Sequence, residues 1–239
     1  MNLALVSEYL NTYPGRDKML RTLSYVAKLV AGLSKSPEAA EKFKIIGSQM
    51  SSCRVTLRLL DDIPMLHYAM SYGLGKQEPD WLIRWMELIQ IVVDTIFYPV
   101  EHICWAGEHK VISIDTLKWD DASTLFWIVS LYLSLFKSIR RLKQLEKHKM
   151  CLSKTNCDVR VTMGLVQAQQ RNELLTSLRL VLDVSYAVSY LPSGVLWGGR
   201  FKTWHVGALG TISSLIGLYQ AFSKQIAQQK NASNNHHII

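Results

Sequence analysis

The chain has 239 residues, 49% hydrophobic and 19% charged, with a mean hydropathy of +0.07 and a net charge of +8. That apolar content excludes a disordered polar chain, and four cysteines without a C-x-x-C pair exclude a disulfide-dense scaffold or a zinc ribbon. The charge is segregated: Met1–Asp121 carries 13 basic and 15 acidic residues, whereas Lys137–Ile239 carries 14 and 4, which favours a polyanionic neighbour such as an anionic membrane or nucleic acid.

Helical periodicity dominates, so the expected fold is all-α and membrane-associated. Met1–Tyr13 contains Glu8 and no basic residue, unlike a secretory signal or a mitochondrial presequence. Insertion after synthesis or through an internal signal is therefore expected. After a break at Pro14-Gly15, Met19, Leu20, Leu23, Val26 and Val30 form one apolar face, and Lys18, Arg21, Lys28 and Lys35 mark another. The pattern fits a membrane-surface helix and equally a bundle helix with a solvated basic face.

Ser36 and Pro37 open a second helix expected to reach Pro64. Phe43, Ile46, Met50, Cys53, Leu57 and Leu60 follow one another at spacings of three and four, edged by Lys44, Arg54 and Arg58. The seam suits insertion among acyl chains with the cations reaching headgroups, or an internal packing seam. Pro79 and Asp80 open Trp81–Trp105, whose Arg84, Glu87, Asp94 and Glu101 make it too charged for a simple span; a packed or half-immersed helix is expected.

Ala122–Phe136 is an uncharged run of fifteen residues, short for a crossing. It abuts Lys137, Arg140, Arg141 and Lys143, a juxtamembrane signature. His148–Gln170 reads as a linker, and an apolar helix resumes from Asn172 to Leu191 before Pro192, Gly194, Gly198 and Gly199. Thr203–Ser223 then runs twenty-one residues without Asp, Glu, Lys or Arg, enough for a bilayer crossing. Gly210 with Ser214, and Ser213 with Gly217, are small residues four apart that permit close approach of Ala122–Phe136 or of a second copy. The expected regions are 1–121 cytosolic and amphipathic, 122–149 apolar with a basic cluster, 150–171 linker, 172–223 a C-terminal helical hairpin with anchor, and 224–239 a polar tail.

Nucleotide-binding, hydrolase-elbow and zincin motifs are all missing. Glu101-His102-x-Cys104 and Asp61-Asp62 diverge around a helix, so a structural role is expected for each, with no catalytic, metal or cofactor site. Nucleic-acid binding through Lys137–Lys149 would leave the uncharged run from Thr203 needing a large soluble core. A channel for small anionic metabolites is the alternative to a membrane-shaping role.

Several blocks resemble the peroxin-eleven family of peroxisomal membrane elongation factors. They are Gly15-Arg16-Asp17-Lys18 with Arg21 and Tyr25, then Cys53-Arg54, Arg58-Leu59 and Asp61, then Leu196-Trp197-Gly198-Gly199-Arg200-Phe201, and Gly210 to Gly217. The length and the last block are most similar to the gamma-type branch. The resemblance implies a non-enzymatic peroxisomal membrane protein with cytosolic termini that self-associates, elongates membrane, and recruits fission adaptors and a dynamin-like GTPase. It also implies that Lys137, Arg140, Arg141 and Lys143 belong to a signal for the peroxisomal membrane-protein import receptor. On this reading Lys18, Arg21, Lys28, Lys44, Arg54 and Arg58 meet phospholipid headgroups, and Leu20, Leu23, Phe43, Ile46, Met50 and Leu57 enter the acyl boundary. If only Ala122–Phe136 and Thr203–Phe222 cross, the lumenal segment between them carries 12 basic and 4 acidic residues, against the positive-inside tendency.

Overall fold

The computed structural model describes residues 3–154 and 160–236, and among them the regular structure is eight α-helices and one 3-10 turn, with no strand. The chain divides into two compact units, residues 1–51 with 203–239, and residues 52–202.

In the first unit α1 (Leu3–Leu10) leads into α2 (Tyr13–Leu33). Pro14-Gly15 begins α2 and does not interrupt the chain: Thr12 is the N-cap, its hydroxyl accepting from the Gly15 N–H at 3.1 Å, and Pro14 occupies a first-turn position where no donor is lost. The long C-terminal helix α8 (Thr203–His236) packs along α2 in antiparallel contact. Gly32 lies against the Trp204 backbone at one end, the Tyr9 and Phe222 rings are 4.6 Å apart toward the other, and Gln229 donates to Glu8 at 2.6 Å beyond them.

The small residues of α8 allow that approach. A Cβ on Gly207 would collide with the Leu29 backbone and one on Gly210 with the Tyr25 ring, while Ser213 is fully buried. Van der Waals contact between backbones replaces the apolar side-chain burial that these positions give up. Within this unit the small-residue stripe of α8 packs on α2. On another side of α2 lies α3 (Pro37–Arg58), where the Ser24 hydroxyl donates to the Gly47 carbonyl at 3.0 Å and meets Ser51 Oγ at 2.8 Å.

The helix opened at Pro37 stops at Arg58, short of the expected Pro64. Pro64 instead falls in the first turn of α4 (Asp62–Tyr72), where its missing N–H is harmless. The second unit is built on α5 (Trp81–Glu108), α6 (Thr116–Lys154) and α7 (Arg160–Ala187), with α4 against α5. Asp80 caps α5 as expected, accepting from Leu82 and Ile83. Ala122–Phe136 is the middle of a 39-residue helix. The expected linker is helical on both flanks, through Lys154 and again from Arg160, and its centre, 155–159, lies outside the described residues. Ile128, Val184, Ala187, Val188 and Leu191 form the apolar core of this unit, closed by Trp197, whose indole N–H donates to the Ser185 carbonyl at 2.7 Å. The expected polar tail continues α8 as far as His236.

Gly207→Ala is expected to destabilise the protein by about 1–3 kcal/mol through overpacking against a backbone that cannot step aside. Gly164→Ala on α7, where an added Cβ meets nothing within 4 Å, should be neutral or stabilising. Thermal unfolding of both variants in the same detergent checks the contrast.

Candidate membrane interface

Beside its apolar core the second unit carries a polar seam between helices and an apolar exterior. Polar side chains meet between its helices: Lys137 on α6 donates to Glu87 on α5 at 2.5 Å, and Tyr68 on α4 donates to the same carboxylate from the exposed side at 2.6 Å. One step along, the Gln90 amide bonds Ser130 Oγ at 3.2 Å and Ser134 Oγ at 3.1 Å. Between α6 and α7, Ser138 and Ser177 are 2.9 Å apart, both buried. In hydrocarbon such groups find no water, so satisfaction within the bundle is the arrangement a lipid environment requires.

Apolar side chains lie on the outside. Leu125, Val129, Tyr132, Phe136 and Ile139 of α6 are exposed at alternating spacings of four and three, which is one continuous stripe. Leu174, Leu178 and Val181 do the same on α7. Among the described residues two helices are long and apolar enough to cross a membrane, Thr116–Ser153 within α6 and Thr203–Gln229 within α8. Only 17% of the apolar window of α6 is buried, unlike the core helix of a soluble protein.

Lys137 decides the length of the α6 span. Its side chain is only 8% exposed and points at Glu87, so the charge that ended the fifteen-residue run is taken out of the outer surface. The uncharged exterior then continues to Ile139, giving about 27 Å from Ala122 at ~1.5 Å per residue, close to the ~30 Å hydrocarbon thickness. Arg140 is likewise engaged, donating to Asp80 at 2.8 Å, and Gln144 bonds the same carboxylate. The hydrogen bond from Arg140 holds the Asp80 carboxyl below its usual range against the opposing effect of burial, helped by the Ile83 and Leu82 N–H groups. Of the four basic residues grouped in the sequence, Lys137 and Arg140 hold helices together, and Arg141 and Lys143 are exposed.

The residues singled out for lipid contact are placed unevenly. On α2, Arg21 donates to Ser213 at 3.2 Å and lies 5.8 Å from the Tyr25 ring centre, with Lys28 5.4 Å from the same ring. Arg21 therefore belongs to the α2–α8 contact, whereas Lys28 lies against a ring of its own helix. Lys18 and Leu20 are half-buried, and Leu23 is 49% exposed. On α3, Phe43 and Ile46 are exposed at 37% and 47%, beside Lys44, which sits 3.6 Å from Glu41 on the open surface. Met50, Arg54 and Leu57 are half-buried, and Arg58 is tied to Glu101. Gly210, Ser213, Ser214 and Gly217 are all buried.

The residues weighed for catalysis hold the α3–α4 turn to α5: Glu101 binds Arg58, and His102 contacts the Leu59 carbonyl at 3.2 Å and Asp62 at 3.3 Å. Among the described residues no group of three His, Cys, Asp or Glu is placed to hold a metal ion. Glu87, Gln90 and Asp94 form an interhelical polar stripe that in the sequence reads only as charge on the helix. Their spacing of three and four on an otherwise apolar helix marks a buried polar stripe.

Lys137→Ala is expected to cost about 3–5 kcal/mol, because it leaves Glu87 buried and unpaired. Arg141→Ala on the exposed side should stay within about 0.5 kcal/mol. Adding Glu87→Gln to the Lys137→Ala change should recover much of the loss; denaturation in lipid-like detergent reads all three.

The family model for "Peroxisomal biogenesis factor 11 (PEX11)" matches residues 3–222. Peroxisomal membrane protein 11C of Homo sapiens is 36% identical over 227 residues, covering 92% of this chain and 94% of that protein. Peroxisomal membrane protein 11C of Mus musculus is 36% identical over 219 residues, covering 89% and 91%. No solved structure gives a significant match. With the match running through both units and nearly the whole length of these relatives, the chain belongs to the peroxisomal biogenesis factor 11 family, in its gamma-type branch.

Proposed function

We propose that this chain is an integral protein of the peroxisomal membrane that promotes elongation, proliferation and fission of the organelle without catalytic chemistry. The family and the names of both relatives support the location, and two helices fit for crossing support an integral mode. In this reading α6 and α8 anchor the protein, both termini face the cytosol, and copies of the chain associate so that many helices act on one patch of membrane. Fission adaptors and a dynamin-like GTPase then act on the elongated tubule, and the import receptor reads the basic segment through Arg141 and Lys143.

The observation that carries the shaping role is the outer surface of α3, where Phe43 and Ile46 remain exposed beside Lys42 and Lys44. Those lysines hold only solvated ion pairs with Glu38 and Glu41, worth about 0–1 kcal/mol, so lipid phosphate competes readily for them. A helix that buries apolar side chains among the acyl chains of one leaflet widens that leaflet and favours curvature. Arg21 is committed to the α2–α8 contact and α8 covers α2 from Tyr25 to Gly32, which leaves α3 as the better candidate for insertion than α2.

Phe43→Glu combined with Ile46→Glu in the full chain is expected to abolish tubulation of anionic vesicles and to leave peroxisomes short in cells. Thermal stability should change little, since both positions are exposed. Normal elongation by this variant would remove α3 as the working surface.

A further inference from the structure

We infer that α5 is itself a membrane-crossing helix, inserted beside α6 with its outer stripe against lipid acyl chains. Composition argues otherwise, because ahead of its terminal Glu108 α5 contains Arg84, Glu87, Asp94 and Glu101. Each of these charges, however, is turned toward the rest of the protein. Arg84 donates to the Leu74 carbonyl at 2.6 Å, Glu87 accepts from Lys137, Asp94 lies within reach of the Gln90 amide at 3.4 Å, and Glu101 is buried against Arg58.

The opposite face carries Trp81, Trp85, Ile89, Val92 and Ile96, all exposed, with Val92 at 58%. Spacings of four and three keep them on one side of the helix. At ~1.5 Å per residue the stretch from Trp81 to Val100 is about 30 Å long, the depth of a hydrocarbon core. Pairing of Asp80 with Arg140, Glu87 with Lys137 and Gln90 with Ser134 sets α5 antiparallel to α6 and in depth register with its apolar stripe. The two stripes thus share one slab. Trp81 and Trp85 fall at the level of Arg140, where indole rings and cations both prefer the headgroup zone.

The flanking charges give the orientation. The connection after α5 holds Glu108, Asp115, Asp120 and Asp121 against Lys110 and Lys118, whereas the end of α6 holds Arg140, Arg141, Lys143, Lys147, Lys149 and Lys154 against Glu146. The positive-inside tendency puts the basic end in the cytosol and the acidic connection in the lumen, and with it the α3–α4 turn that Glu101 and His102 hold at that end of α5. A crossing by α5 therefore removes the conflict that arises when the basic segment is placed in the lumen; with α8 also crossing, both termini stay on the cytosolic side only when α7, with Leu174, Leu178 and Val181 exposed, crosses between α6 and α8.

The orientation rests on the peroxisomal reading, but the crossing does not, so two measurements separate them. Intact organelles bearing the unmodified chain are treated with a charged amine reagent that cannot pass the membrane, and labelled lysines are found by mass spectrometry. Lys143 and Lys147 should react at once, and Lys110 and Lys118 only after detergent. Reaction of Lys110 and Lys118 in intact organelles, whether or not Lys147 also reacts, would overturn the oriented crossing. In proteoliposomes, phosphatidylcholine with a photoreactive group in its acyl chain should form adducts on both α5 and α6, including Trp85 to Ile96. Adducts on α6 alone, or chain-to-chain crosslinks through α5 in their place, would overturn lipid as the occupant of this face. Lipid adducts on α5 with reversed lysine labelling would refute only the orientation.

Discussion

The inward turn of Lys137 onto Glu87 is the constraint around which the second unit is arranged. A lysine facing hydrocarbon costs several kcal/mol, and an unpaired glutamate facing a dry interior costs as much or more. Placed together, with Tyr68 completing the carboxylate, each removes the other from the lipid surface. The pair therefore fixes the register of α5 on α6, and through that register it lengthens the apolar exterior of α6 to the thickness of a bilayer. Ser138 and Ser177 extend the same polar seam to α7, beside the apolar cluster of Ile128, Val184 and Val188, and aliphatic side chains line the exterior of all three helices.

A different economy governs the first unit. There the small residues of α8 bring two backbones together, and the cations of α2 are spent on a serine hydroxyl and an aromatic face. Close contact of this kind rigidifies α2 and makes it a supporting element. The outer face of α3 remains open, with apolar and basic side chains interleaved, and that is the combination a leaflet-inserting surface needs.

Much of the fold is written in local signals. The Asp80 cap, the breaks at Pro192–Gly199 and the helical period of the long segments outside 148–170 are encoded within a turn or two of the residues concerned, and each fixes an element in the structure. The end of α3 at Arg58 was not legible, because Pro64 is as compatible with the first turn of a new helix as with the end of an old one. The role of Lys137 was hidden for a further reason: a basic residue after an apolar run has the same sequence signature whether it reaches phosphate or a carboxylate on a helix fifty residues away. Arg21 and Lys28 show the same limit on α2, where periodicity gives a face but not what covers it. The membrane-facing side of α5 was obscured by counting charges without their direction, since a mean over the helix gives inward and outward residues equal weight.

The central claim is that polar groups face inward and aliphatic ones face lipid along α5 and α6, and a nitroxide at Val92 tests it most directly. In a chain with its native cysteines replaced by serine and Val92→Cys labelled, reconstituted in phospholipid, the account predicts high accessibility to molecular oxygen and low accessibility to a water-soluble nickel chelate. The reverse order, with the chelate reaching Val92 freely, would place this face in water and contradict the account.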